Sequence, residues 1–266
     1  NTGKTGIVSL TALFEPCEID GSVVSRASVH NYDIFSSYHF GIGDKIEVYK
    51  ANMIIPQISK NIDQSNTYKI NLICPSCGKK LTIEKPNDTQ ILFCHNEECP
   101  SRQLQKFVHF VSKEAMNIEG LGESILKILI GGGWVKNFSD LYKISKFKDQ
   151  IINVDGFGEK SFNNLILAIE KSRKIKLCNF IVALGIPNIG RSASKILSRK
   201  FINYDDFISA CKNNFDFTSL EEFGITMQNN ILNWFHNPPE IERGLIDEII
   251  FEDSIPEKIK NNESIF

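Results

Sequence analysis

Four cysteines in two close pairs occupy the middle of this 266-residue chain. Two residues separate Cys74 from Cys77, four separate Cys94 from Cys99, and sixteen lie between the pairs. Each short pair can bend round one ion, and four thiolates match the tetrahedral coordination of zinc. A closed shell of four sulfurs leaves no position for a water nucleophile. The spacing therefore predicts a structural Zn²⁺ that folds the segment and does not catalyse.

Two disulfides or a redox-active pair are the alternatives to a metal site. The chain has seven cysteines, an odd number, with no signal peptide and no dense cysteine framework, so metal binding is favoured. The remaining cysteines, Cys17, Cys178 and Cys211, have no neighbour at ligand spacing and are expected to be small buried residues. His95 could compete for one ligand position, but we expect it to be exposed.

Composition bears on the class of protein. A hydrophobic content of 42% supports packed cores, and the apolar runs are short and broken by charge, which predicts no membrane span. The formal net charge of −2 does not by itself indicate a nucleic-acid binder. Residues 104–239, however, hold 17 Lys and Arg against 13 Asp and Glu, so a modest positive excess lies there. We expect a cytoplasmic monomer.

The region before the cysteines reads as β structure. About five short β-type runs lie between residues 7 and 58, separated by turn signals such as Asp20-Gly21, which predicts a small Greek-key barrel. A helix is expected around residues 29–35. Lys4 and Arg26 each lie beside a turn or loop that could face a nucleic-acid backbone, although ordinary solvated surface charge is the alternative for both.

The region after the cysteines has a helical period. Leu104, Phe107, Val108 and Val111 recur at the spacing of one helix face. A further amphipathic helix is expected near residues 241–250, after Pro238-Pro239, and the polar residues beyond it predict a disordered tail.

A short motif recurs four times in this helical region. Residues 118–122 and 154–158 both read apolar, acid, glycine, apolar, glycine, while residues 186–190 have Asn188 at the first glycine. In a fourth segment, residues 222–226, Thr226 stands at the second glycine. The final positions are spaced by 36, 32 and 36 residues, which predicts four helix-hairpin-helix units.

Such hairpins suit DNA phosphate. Two glycines leave no side chain between the backbone amides and an anion, and the second opens a helix whose free N–H groups favour negative charge. This contact would read no bases. The alternative is a glycine-rich turn used only for helix packing. The fourth hairpin is expected to be the least suited to DNA because its second glycine is missing. The candidate DNA-binding residues are Gly120, Gly122, Gly156, Gly158, Lys160, Gly190 and Arg191, with Lys4 and Arg26 of the barrel.

One catalytic motif is missing from the chain. Covalent nucleotidyl transferases use Lys-x-Asp-Gly, in which the lysine is the nucleophile. Here Glu18 precedes Asp20-Gly21 at the lysine position, and Asn153 precedes Asp155-Gly156. The sequence thus carries no such nucleophile.

The ordered set of parts resembles a known family. Thr5-Gly6 and residues 24–31, 43–45 and 54–57 look like the OB domain of NAD-dependent, bacterial-type DNA ligases, and residues 109–122 and 183–186 continue the resemblance in order. Two positions depart from the family pattern: Lys4 stands where arginine is usual, and Asn52-Met53 replaces Gly-Asp.

The resemblance implies an activity for the complete enzyme. Such ligases encircle nicked double-stranded DNA, adenylate a lysine with NAD, transfer AMP to the 5′-phosphate and seal the nick using Mg²⁺, in replication and repair. This chain looks like the part that follows the nucleotidyl transferase domain, so we expect it to be inactive alone. A free-standing DNA-structure binder and a protein-interaction scaffold with a zinc knuckle are the rival hypotheses.

The predicted fold class is a multidomain α+β protein. Its expected parts are an N-terminal OB-type β-barrel at residues 1–70, a small four-cysteine zinc finger at 71–103, an all-α helix-hairpin-helix domain at 104–251 and a disordered tail at 252–266.

Overall fold

The computed structural model describes residues 2–155 and 157–252, apart from the Asn87 side chain. The chain divides into two compact units, Asn1–Gln105 and Lys106–Phe266. Gly156 of the second hairpin and residues 253–266 of the predicted tail lie outside the described residues.

A curled four-stranded sheet forms most of the first unit. Strands β2 and β3 make one antiparallel hairpin, β4 and β5 make another, and β3 meets β5 in a parallel bridge at Ser28 and Gln57. Its small core consists of Ala27, Val29 and Ile58, packed against partly buried aliphatic and aromatic side chains. Helix α1 begins where the Asn31 side chain accepts a hydrogen bond from the Ile34 amide. The bounds are β2 Thr11–Ile19, β3 Ser22–Ser28, α1 Tyr32–Ser37, β4 Ile46–Ala51 and β5 Ile55–Asn61.

A second, three-stranded sheet accompanies the cysteine segment. Its order is β1-β7-β6, with β1 at Ile7–Val8, β6 at Thr82–Glu84 and β7 at Ile91–Phe93. The sequence placed Ile7–Val8 among the barrel strands, but it pairs with β7. The reason is apolar burial: Val8 joins Leu81, Leu92 and three of the cysteines in one small core that the short cysteine segment cannot complete alone.

The second unit is helical, as predicted. Its first helix, α2, spans the boundary between the two units, and the predicted apolar face includes the buried Phe107 and Val111. None of the helices in the described part of the chain is long and apolar enough to cross a membrane. The helices are α2 Pro100–Val111, α3 Glu123–Gly131, α4 Phe138–Leu141, α5 Lys148–Ile151, α6 Glu159–Ser172, α7 Leu177–Ala183, α8 Arg191–Lys200, α9 Tyr204–Lys212 and α10 Ile225–His236.

The predicted helix at 241–250 was wrong. Two 3₁₀ turns, Glu240–Glu242 and Ile246–Glu248, occupy this segment instead, separated by Gly244 at a φ of +68°. A left-handed residue there interrupts an α-helix. The chain then forms strand β9, Ile250–Phe251, which pairs in parallel with β8, Lys174–Ile175. The α+β fold class is confirmed, with this short ladder as an addition.

Arg173 makes ionic and ring contacts that hold residues 246–251 against α6. Its guanidinium donates to Glu170 at 2.7 Å and to Glu248 at 2.6 Å, and it stacks over the Tyr142 ring at 4.9 Å. Strand β9 begins two residues after Glu248. Arg173 is therefore a structural residue that ties the 246–251 segment to α6.

The remaining cysteines differ from the expectation. Cys211 is fully buried, as predicted. Cys17 and Cys178 are only half-buried, so the prediction was wrong for these two. Cys17 lies on β2, whose residues alternate between half-buried and exposed positions along a sheet with one covered face.

Candidate metal centre and nucleic-acid interface

The four sulfurs of the cysteine segment lie close together. Their Sγ atoms are all within 4.8 Å of one another, with Cys74 at 3.8 Å from Cys99 and Cys77 at 3.7 Å from Cys94. All four cysteines are free. In a tetrahedron with metal–sulfur bonds of about 2.3 Å, the sulfur–sulfur edge is about 3.8 Å. The arrangement thus fits one tetrahedral ion and is too wide for disulfides.

The first pair forms a tight knuckle. Gly78, at a φ of +70°, lets the chain turn back so that its amide donates to the Cys74 carbonyl at 2.9 Å. Burial opposes ionisation of the Cys74 thiol, but hydrogen bonds from Thr2 and from the Ser76 and Cys77 amides lower its pKa to about 6. These donors favour the thiolate, which is the form that binds a metal.

The second cysteine pair is buried from solvent. Cys94 and Cys99 are both fully buried, and burial raises the pKa of the Cys94 thiol to about 12. A cation among the sulfurs would offset this cost. Gly6 packs against Cys94: its carbonyl accepts from the Cys94 amide at 2.8 Å, and an added Cβ would lie 2.7 Å from the Cys94 oxygen. Glycine is therefore required at position 6.

His95 lies beside the cluster and outside it. Its Nε2 is 2.8 Å from Glu84 and 3.0 Å from the Thr82 hydroxyl, and the side chain is 61% exposed. The expectation of an exposed histidine is confirmed. Among the described residues, the four cysteines are the only group of three or more metal-ligating side chains.

The hairpins share one backbone geometry. In each, the amide of a buried apolar residue donates to the carbonyl three residues earlier, at 2.9–3.2 Å. The residue that follows is a glycine that caps the next helix with extended backbone angles. The turn hydrogen bonds are Leu121 to Ile118, Phe157 to Val154, Ile189 to Ile186 and Phe223 to Leu220, and the caps are Gly122, Gly158, Gly190 and Gly224.

The predicted register of the fourth unit was wrong by two residues. Gly224, and not Thr226, caps the helix, so the fourth hairpin does possess its second glycine. What it lacks is the first: Glu222 takes the left-handed conformation at a φ of +64°, as Gly120 does at +78° and Asn188 at +62°. The buried apolar residue before the final glycine was the signal that would have set the register.

The capping glycines are not required by the protein itself. An added Cβ at Gly122, Gly158, Gly190 or Gly224 would meet nothing within 4 Å. Their φ values, between −84° and −107°, are open to any residue. Serine, asparagine or aspartate would also cap a helix at least as well as glycine. Neither packing nor backbone conformation explains four glycines at this position.

The third hairpin presents backbone donors and positive charge. Within the described structure, the amides of Arg191, Ser192 and Ala193 have no acceptor, as is usual for the first turn of a helix. Arg191 is 65% exposed and makes one surface ion pair with Glu114 at 3.0 Å. Gly190 itself is exposed.

Acidic residues accompany the other hairpins. Glu123 and Glu159 follow the first two caps and pair with Lys127 and Lys148, respectively. Lys160 is exposed next to Glu159.

Lys4 and Arg26 both belong to the first unit. Lys4 is half-buried in the loop before β1, and burial lowers the pKa of its ammonium group. Arg26 lies exposed on β3, opposite Leu13 of β2. The other candidate positions belong to the second unit, except Gly156, which lies outside the described residues.

Known protein families match one part of each unit. A family model described as the NAD-dependent DNA ligase OB-fold domain matches residues 1–69, and one described as the helix-hairpin-helix motif matches residues 179–243. Relatives named DNA ligase cover most of the chain. One from Lachnoclostridium phytofermentans is 39% identical over 95% of it, and one from Ruminiclostridium cellulolyticum is 47% identical over 76%. The ligase of Bacillus subtilis is 35% identical over 94%.

The chain spans between 31% and 39% of the length of these three relatives. Neither family model covers residues 70–178, which hold the four-cysteine cluster and the first two hairpins, but the relative from Lachnoclostridium phytofermentans is aligned over 254 residues of this chain. The chain belongs to the NAD-dependent DNA ligase family and corresponds to the part of these ligases that contains the OB-fold and helix-hairpin-helix domains.

Proposed function

We propose that this chain is the DNA-gripping part of an NAD-dependent DNA ligase. It binds nicked double-stranded DNA through the phosphate backbone and without reading base sequence, while the complete ligase seals the nick. The observation that carries the proposal is the open space over the four capping glycines, at each of which an added Cβ would meet nothing within the protein. A glycine that the protein does not need is explained by a partner that approaches the backbone closely, and a phosphate oxygen is such a partner.

The charge distribution ranks the hairpins. The third has Arg191 beside its cap and free first-turn amides, so phosphate gains both hydrogen bonds and Coulomb energy there. The Arg191–Glu114 pair is exposed and contributes little, so the guanidinium can exchange it for phosphate. In the fourth hairpin, Glu221 and Glu222 precede Gly224, and no basic residue follows the cap in the first turn. The fourth hairpin thus remains the weakest candidate, for its charge and not for a missing glycine.

The metal centre holds Zn²⁺ in this proposal. Cys74, Cys77, Cys94 and Cys99 would all bind as thiolates, and the ion supplies structural cross-linking of a segment with a very small core. The cysteines leave no open coordination position for chemistry. NAD and Mg²⁺ belong to the ligation reaction of the complete enzyme.

Salt-dependent binding tests the proposed contact. A labelled nicked duplex should bind the 266-residue chain, and the logarithm of the association constant should fall linearly with the logarithm of the salt concentration. Two duplexes of unrelated sequence should give the same constants. Absence of binding at low salt would point instead to a protein-interaction scaffold, and a strong preference for one sequence would contradict backbone recognition.

Sealing is the second measurement. With NAD, Mg²⁺ and nicked DNA, this chain should produce no sealed product, because no Lys-x-Asp-Gly nucleophile is present. A longer ligase chain that carries the motif is the matched control and should seal the same substrate. Sealing by the chain alone would refute the assignment of roles.

A further inference from the structure

A cavity of about 420 Å³ lies in the second unit, and none of its lining residues belongs to the hairpin turns. Its walls come from α7, α9, α10 and the segment that follows α10. Four aromatic side chains contribute to the lining, Phe180, Tyr204, Trp234 and Phe235, together with aliphatic residues and with Pro238 and Pro239. A concave, mainly apolar site of this volume is large enough for a small organic molecule.

One carboxyl group forms part of this apolar wall. Glu242 accepts a hydrogen bond from Trp234 Nε1 at 2.9 Å. Among the described residues it makes no ion pair, although Lys106 is near enough to favour its charged form. Burial is the larger effect and raises the pKa of Glu242 to about 7. The hydrogen bond from Trp234 and the charge of Lys106 thus do not fully offset the cost of burying the ionised carboxylate.

The other charged groups at the cavity leave it acidic. Arg243 lines the rim but is paired with Glu240 at 2.8 Å, and both side chains are largely exposed. Tyr204, from α9, is a neutral phenol whose pKa is raised to about 12, first by burial and then by Glu242. Arg243 and Glu240 cancel each other's charge, and Tyr204 is neutral. The carboxylate of Glu242 therefore makes the cavity favour a positively charged ligand.

We propose that this cavity binds an organic ammonium ion with an apolar body. The ammonium group would pair with the Glu242 carboxylate, and the body would lie among the aromatic rings, whose faces attract cations. A metal ion is the poorer fit, because Glu242 belongs to no group of three or more metal-ligating side chains among the described residues. The site is separate from the DNA-binding proposal and does not depend on it.

Phenethylamine is a suitable probe, with 2-phenylethanol as its uncharged counterpart. Fluorescence of Trp234 reports binding once Trp134, the other tryptophan of the chain, is replaced by phenylalanine. At pH 8 the amine should bind at least tenfold more tightly than the alcohol. Between pH 8 and pH 6 its affinity should fall about tenfold, since a carboxyl group with a pKa near 7 is largely protonated at pH 6.

Two variants complete the test. Glu242→Gln keeps an acceptor for Trp234 and removes the charge, so amine affinity should fall at least tenfold and lose its pH dependence. Asp247→Asn, which removes an exposed carboxylate that does not line the cavity, is the control and should change the affinity less than twofold. If Glu242→Gln does not fold, the pH dependence of the unaltered chain decides. Equal binding of amine and alcohol, equal binding by the Gln variant, or no binding of the amine at millimolar concentration would each overturn the proposal.

Discussion

Replacing Gly190 by aspartate or asparagine separates charge from shape at the third hairpin. Either side chain can be accommodated, because φ is −92° and nothing lies within 4 Å of the added Cβ. Both residues are at least as good as glycine at a helix N-terminus, where the difference is a few tenths of a kcal/mol. The thermal melting of both variants should therefore equal or exceed that of the unaltered chain.

The effect on DNA follows from Coulomb's law. A carboxylate at position 190 that lies about 5 Å from a phosphate is repelled by about 1 to 3 kcal/mol, for effective dielectric constants between about 80 and 20. That range corresponds to a loss of about fivefold to 200-fold in affinity relative to asparagine. The difference should shrink as salt rises, because exposed charges are screened.

Fluorescence anisotropy with a nicked duplex measures both constants, and circular dichroism checks the fold. Asparagine alone should weaken binding modestly, since it crowds the amides without adding charge. If Gly190→Asp and Gly190→Asn bind DNA equally at low salt, no phosphate lies at the third hairpin and the reasoning fails.

Other substitutions probe the supports of the fold. Cys94→Ala should abolish the one-to-one content of zinc, measured by elemental analysis, and lower the melting temperature; a native zinc content and native melting would contradict the metal centre. Arg173→Met should reduce the free energy of unfolding by about 1 to 3 kcal/mol, because it removes the charged hydrogen bonds of Arg173 to Glu170 and Glu248 and leaves Lys143 as the remaining ion-pair partner of Glu248. The exposed Arg243→Met is its control, and equal effects of the two would refute the structural role of Arg173. Glu242→Gln should stabilise the chain by up to about 3 kcal/mol at pH 8 and by little at pH 4, because a folded-state pKa raised from 4.5 to about 7 costs stability as pH rises through that window. Denaturant titrations at the two pH values measure this difference, and a constant effect at both would show that Glu242 is not desolvated.

Local chemistry made part of the structure predictable. The clustering of the four cysteines follows from spacing alone, because a knuckle of this kind is built within a few residues. The helix caps of the first three hairpins could be predicted from the glycine pattern, because a helix cap depends only on residues close in sequence. The fourth register failed because two glycines were taken as the mark of the hairpin. Glu222 occupies the left-handed position without glycine, and the buried Phe223 before Gly224 carries the pattern.

Non-local contacts account for the remaining errors. Strand β1 finds its partner more than eighty residues away, and nothing within Ile7–Val8 specifies β7 over a barrel strand. Arg173 lies among Lys171, Lys174 and Lys176 in the sequence, and only its pairing with Glu248, 75 residues later, makes it structural. The parallel pairing of β8 with β9 likewise takes Ile250, the last residue of the segment predicted as a helix, into a strand. Pairings of this kind depend on the whole fold and leave no periodic signal in the sequence.

The most direct test of the account is to follow the backbone amides of the hairpins by NMR while a nicked duplex is added. The amides of Ser192 and Ala193 should shift strongly, as donors that gain a phosphate acceptor, and the shifts should be the same for two duplexes of unrelated sequence. Unchanged amides in the first turns after Gly122, Gly158 and Gly190, in a chain that nonetheless binds DNA, would contradict the claim that the hairpins grip the backbone.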